Sequence, residues 1–157
     1  MANDLSSLLA EGVILNPQAS ESRKQILGKL ADAVGEKLGL EGRDIFDAVI
    51  EREKLGSTSV GEGVAIPHAR ISGLEHPVGA FVRLHDGVDF DAIDGQPCDL
   101  IFMLLAPIAS GADHLRALAQ VSRAFRGDEF RAALREADGV QGLTALLCPE
   151  TVEESAA

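Results

Sequence analysis

An α/β fold is predicted by three features of the sequence: a single domain in which helices flank a mixed parallel and antiparallel sheet of about five strands. Helical periodicity marks both ends of the chain, alternating or continuously apolar runs fill its middle, and 46% hydrophobic content in 157 residues suffices for one core. With no internal repeat and no low-complexity linker, one domain is expected over residues 1–157, its core over about 20–148.

The elements follow in order. The segment before Ser22 is expected to be short and loosely held. Ser22 to Gln25 has the spacing of a capping box, Ile26, Leu27, Leu30, Val34 and Leu38 continue it at helical period, and Gly39 ends that helix. A second helix is predicted between Asp44 and Gly56, carried by Ile45, Phe46, Val49 and Ile50, with Arg52 in its last turn. Gly56 to Gly63 is small and polar and reads as a loop or strand edge. Val78, Ala80, Val82 and Leu84 alternate as a half-buried strand, and Asp86-Gly87 predicts a hairpin turn into a strand around Val88 and Phe90. A further turn is expected at Asp94-Gly95. Asp99 to Ala106, continuously apolar after its first residue, suits a central strand covered on both faces and closed by Pro107. From Asp113 a helix is predicted with Leu115, Leu118, Val121, Ser122 and Phe125 on its apolar side and His114 in its first turn. Two short helices, through Phe130 and Leu134 and through Val140 to Leu147, precede a polar tail from Glu150.

Composition excludes several function classes. A net charge of -11, from 14 basic and 25 acidic side chains, argues against nucleic-acid binding, and the absence of Trp and Tyr removes stacking platforms. The longest apolar run, Leu100 to Pro107, falls well short of the roughly 18 residues of a membrane span, so no membrane insertion is expected. Cys98 and Cys148 lack paired spacing and no secretory leader is evident, which predicts reduced structural thiols in a cytoplasmic protein.

Four histidines supply the groups that titrate near neutrality. His85 precedes an Asp-Gly pair and His76 precedes a proline, as solvent-facing turn residues do. His68 instead ends the run from Gly61 to Pro67, in which glycines permit close backbone approach and the proline fixes the chain before the ring. Asp91, Asp94 and Asp99 straddle turns rather than sharing a face, and no paired Cys or His-x-x-x-His spacing accompanies them, so no metal site is expected.

The wider constellation is Arg52-Glu53-Lys54-Leu55-Gly56-Ser57-Thr58, then Gly61 and Gly63, then Ala65-Ile66-Pro67-His68. It closely resembles the phosphorylation-site motif of the enzyme IIA domains of the bacterial phosphotransferase system, in the fructose and mannitol superfamily. Phe90-Asp91-Ala92-Ile93-Asp94, followed by Pro97 and Asp99-Leu100-Ile101-Phe102, is similar to the nitrogen-regulatory branch. The likeness runs from about Ser22 to Leu147. Ser59 and Ala69 stand where the family has glycine, and Glu62 stands where a neutral residue such as Asn is common, adding a negative charge near the motif.

The resemblance implies a phosphoryl carrier that accepts the group on Nε2 of His68 from an HPr-like carrier, needs no cofactor or metal, and regulates targets such as kinases or transporters by its phosphorylation state. A free-standing sugar-specific component and a purely regulatory binding module are the alternatives. A neutral imidazole is the nucleophile, and an ordinary histidine is mostly neutral at cytosolic pH without a general base. Phosphoryl transfer then needs donors for the equatorial oxygens. Arg52 offers a charged fork, Ser57 and Thr58 offer hydroxyls and amides, and His114 matches a second active-site histidine in a helix's first turn.

Overall fold

The computed structural model describes residues 4–17, 19, 22–109 and 111–149. Among these residues six helices and six strands follow in the order α1 (Ser6–Leu9), β1 (Val13–Ile14), α2 (Arg23–Leu38), α3 (Gly42–Leu55), β2 (Ser59–Gly61), β3 (Val64–Ala65), β4 (His68–Ile71), β5 (Val78–Val88), β6 (Cys98–Pro107), α4 (Gly111–Phe125), α5 (Asp128–Glu136) and α6 (Gly139–Leu147). The predicted α/β class with a mixed sheet is what the chain adopts. The strands run in the order β1-β5-β6-β3-β2, with β4 also paired to β6. Strands β5 and β6 are antiparallel, while β3 and β4 both lie parallel to β6.

Strand β6 divides the core in two. Ile101, Met103 and Leu105 face α2 and α3, whereas Leu100, Phe102 and Leu104 face α1, α4, α5 and α6. All six side chains are essentially inaccessible, as the unbroken apolar run predicts for a strand covered on both faces. Helix α2 begins where Ser22 accepts a hydrogen bond from the Gln25 amide, and it ends at Gly39, whose φ of 72° places it in the left-handed region that glycine enters without cost.

Three expectations are corrected. Asp86-Gly87 makes no hairpin turn: β5 runs through it to Val88, which pairs with Cys98. From Arg83 to Val88 five residues of β5 advance against two of β6, from Leu100 to Cys98, so the extra residues bulge and the chain reverses later, through 89–97. Phe90 is buried but belongs to no strand. Second, the chain before Ser22 is tied down where it is described: Leu5, Leu8 and Leu9 are buried, the Leu5 amide donates to the Leu147 carbonyl at 2.9 Å, and β1 pairs parallel to β5. Third, Leu115 is 69% exposed, because the buried stripe of α4 is Ala117, Val121, Ala124 and Phe125. At 100° per residue Leu115 lies about 120° around the helix from Val121. The tail from Glu150 lies outside the described residues.

Among the described residues no helix is long and apolar enough to cross a membrane. Both cysteines are buried free thiols, and burial pushes each of them up from the ordinary thiol range.

Candidate functional site

His68 opens β4 opposite Leu104 of the central strand, and the Pro67 carbonyl accepts from the Leu104 amide at 2.8 Å. Strand alternation sends Ala69 and Ile71 into the core and leaves His68 and Arg70 on the other face. The His68 ring is oriented from behind: Nδ1 lies 2.8 Å from the Ile66 carbonyl oxygen. A carbonyl can only accept, so Nδ1 carries the proton and donates it, and Nε2 keeps the free lone pair.

His114, fourth residue of α4, meets His68 edge-on, with ring centroids 5.3 Å apart and planes at 82°. Among the described residues its Nδ1 is buried without a hydrogen-bond partner. Arg52 enters from the last turn of α3, where Nη1 donates to the Gly56 carbonyl at 3.0 Å. Together with Arg70, Leu55 and Ile108 these residues line an open cleft of about 840 Å³. Leu55, Ile108 and Leu115 expose 84%, 60% and 69% of their surface around it.

His68, its tautomer fixed, thus lines one cleft with His114, Arg52 and Arg70 at the start of a parallel strand. The family description "Phosphoenolpyruvate-dependent sugar phosphotransferase system, EIIA 2" matches residues 7–148. The chain belongs to this family. A nitrogen regulatory protein from Bradyrhizobium diazoefficiens is 43% identical over 143 residues, covering 91% of this chain and 94% of the relative. A fructose-specific EIIA component of the phosphotransferase system from Haloferax volcanii is 35% identical over 151 residues, covering 96% and 97%. Among solved structures, the nitrogen regulatory protein IIA-Ntr from Neisseria meningitidis superposes with a TM-score of 0.81 at 33% identity, covering 90% of this chain and 97% of that one.

The other motif residues of this EIIA chain hold the loop together. The Ser57 hydroxyl donates to the Phe90 carbonyl and accepts from the Ser59 amide at 3.1 Å. Thr58 is buried and its hydroxyl donates to Glu53. Glu53, which sequence reasoning passed over, is itself buried and also pairs with Arg23 at 3.2 Å. Arg23 extends this network to Asp91 at 3.1 Å and lies over the Phe90 ring. A carboxylate at the buried step of α3, one residue after Arg52, was the available signal.

The glycines of the motif serve the far side of the loop. Gly63, at φ 79°, passes so close to α5 that an added Cβ would lie 2.5 Å from Arg135 Nη2 and 2.9 Å from Asp99 Oδ1. Arg135 bridges Asp99 at 2.9 Å and donates to the Glu62 carbonyl at 2.7 Å. The Glu62 carboxylate points toward Arg131, 4.0 Å away, and its amide is held by Asp94. The extra charge of Glu62 is therefore met by α5. Asp91, Asp94 and Asp99 are likewise committed to separate partners. His85 is exposed on β5, and His76, also exposed, lies 3.1 Å from Glu11.

Burial holds the His68 imidazole below the ordinary histidine value and Arg52 adds to this, while the hydrogen bond to Ile66 and the Glu53 carboxylate pull upward. His114 is lowered too, by burial first and then by His68 and Arg70. Both rings therefore stay neutral into mildly acidic solution. The unfolded chain, with ordinary histidines near 6.5, takes up protons before the folded one does. Stability carried by these rings is thus present above about pH 6.5 and is lost as the pH falls through that value toward the lowered folded ones. The fall in Tm between about pH 7 and pH 5 should be shallower in a His68→Gln, His114→Gln double variant than in wild type, as read by thermal unfolding across that range.

Proposed function

We propose that this chain is a cytoplasmic phosphohistidine carrier of the nitrogen-type phosphotransferase system. Nε2 of His68 takes a phosphoryl group from the phosphohistidine of an HPr-like carrier, and the modification state governs binding to regulated proteins such as kinases or transporters. The observation that carries this reading is the bond from Nδ1 to the Ile66 carbonyl, which fixes the tautomer with its lone pair on Nε2. In the transfer an N–P bond forms at His68 Nε2 as the donor's N–P bond breaks, and the donor imidazole keeps the electron pair. No oxidation and no net proton transfer accompanies the exchange.

The protein's share is alignment and charge stabilisation in a loose transition state. Among the described residues Arg52 makes one hydrogen bond, to Gly56, and its remaining N–H donors are supplied to the equatorial oxygens. His114 brings a second imidazole edge to the same point. Ser57 and Thr58 act through the loop's shape, since their hydroxyls are engaged by Phe90 and Glu53. The rim of Leu55, Ile108 and Leu115 is apolar and exposed, which suits a protein partner's surface better than a free small anion.

The decisive experiment incubates the chain with phosphoenolpyruvate, enzyme I and an HPr-type carrier, and follows intact mass at neutral or alkaline pH. Wild type should gain one acid-labile phosphoryl group and His68→Ala none; an unmodified wild type with competent carriers would overturn the reading. The 35% identical fructose-specific relative favours one alternative, a sugar-specific component. Onward transfer of the phosphoryl group to a fructose-type EIIB domain would select that alternative over regulation.

A further inference from the structure

Arg70 is the least accommodated charge in the cleft that His68 lines. Strand alternation points it to the same face as His68, two residues earlier, and both line the cleft. It is exposed, yet among the described residues no carboxylate or carbonyl holds its guanidinium, although the chain carries 25 acidic side chains. The nearby acids are spoken for: Glu51 pairs with Lys54 at 3.1 Å, Asp113 pairs with Arg116 at 3.3 Å, and Glu53 is buried against Arg23 and Thr58. The guanidinium lies instead beside Gly111, the first residue of α4, where an added Cβ would be 3.7 Å from Nη1.

That position is electrostatically adverse for a cation. The start of a helix of 15 residues presents unpaired N–H groups and positive potential, so a guanidinium there is repelled. Its field also reaches His114 and disfavours that ring's protonation. Arg52 acts the same way on His68 from the opposite wall. Two cations and a helix N-terminus thus converge on one cleft, whose lining carboxylate, Glu51, is paired with Lys54 and with neither arginine.

Resting on the carrier reading above, we infer that Arg70 is a second phosphate-holding residue, which with Arg52 clamps the phosphoryl group on His68 from two sides and prolongs its life there. A dianionic group in the cleft relieves the repulsion at α4 and gives the Arg70 fork an acceptor. A group held in this way is retained until a partner displaces one wall of the clamp, as a regulator whose modification state is read by binding requires.

The test begins with inorganic phosphate, titrated into the full chain while the His68 and His114 imidazole signals are followed by NMR. Wild type should show saturable shifts, Arg70→Lys should keep most of the affinity, and Arg70→Gln should lose about ten- to hundredfold, the range of one hydrogen bond to a charged group. Arg123→Gln, an exposed cation on α4 outside the cleft, is the control and should match wild type. A second arm measures spontaneous loss of the phosphoryl group from phosphorylated protein, which Arg70→Gln should accelerate by a similar factor with Tm unchanged. No saturable shift in wild type, or an Arg70→Gln variant that matches it in the titration, would overturn the inference. If wild type accepts no phosphoryl group from competent carriers, the acceptor reading fails separately, and the phosphate titration still decides the role of Arg70.

Discussion

Replacing Arg52 by glutamine is expected to slow phosphoryl transfer to His68 about a hundredfold, the usual loss when one preorganised donor to developing negative charge is removed. The effect should fall on the rate and not on the fold. Arg52 is partly exposed, and its one hydrogen bond, to the Gly56 carbonyl, closes the end of α3, where a side chain-to-backbone bond is worth about 1 kcal/mol. Arg52→Lys should recover only part of the rate, because a point charge replaces the charge and not the planar fork. Rapid-quench kinetics with a phosphorylated HPr-type donor, paired with thermal unfolding, separates the two contributions. A glutamine variant as fast as wild type would reduce Arg52 to the cation of a helix C-terminus.

Glu53→Ala should have the opposite signature, a large loss of stability. Its carboxylate is 4% exposed and receives both the Thr58 hydroxyl and the Arg23 guanidinium. Removing it strands a buried hydroxyl and a cation that is 28% exposed and retains Asp91 as a partner. Breaking a buried pair costs 3–5 kcal/mol, and Arg23's partial exposure argues for the lower end, about 3 kcal/mol. In a domain of this size that corresponds to a Tm lower by about 6–12 °C. Glu53→Gln, which can still accept from Thr58, should lie between. A Tm shift of less than about 2 °C for the alanine variant would show that the loop from Gly56 to Pro67 stands without this anchor.

The division between what could and could not be read from the sequence has physical causes. Helix α2 was legible because cap, period and terminating glycine all agree, and β6 because seven consecutive apolar residues bounded by Asp99 and Pro107 admit little else. The Asp86-Gly87 turn failed because a dipeptide states only a local preference. The antiparallel partner of β5 is β6, whose pairing persists past the bulge to Val88. Leu115 was misplaced because an apolar residue near a buried stripe looks the same to periodicity whether it faces a core or a partner.

At the site, His68, His114 and Arg52 came from the motif, and the chain folds them to one cleft. Glu53 and Arg70 were missed for opposite reasons. Glu53 continues the four-residue step of Ile45 and Val49, a signal that its charge masks, and Arg70 matters only because α4, about forty residues later in the chain, begins beside it.

The hydrogen bond between the Pro67 carbonyl and the Leu104 amide places the acceptor loop on the strand at the centre of both cores. Protection from local opening is greatest in such central strands, so the nitrogen proposed as the acceptor is anchored to the part of the molecule expected to open last. A carrier of the kind proposed must serve a donor and its readers in turn, each with its own shape. On that proposal the chemistry is kept invariant by the slow interior, and adaptation is left to the side chains at the cleft's rim, so that partners would differ in how they dock and not in the geometry they find.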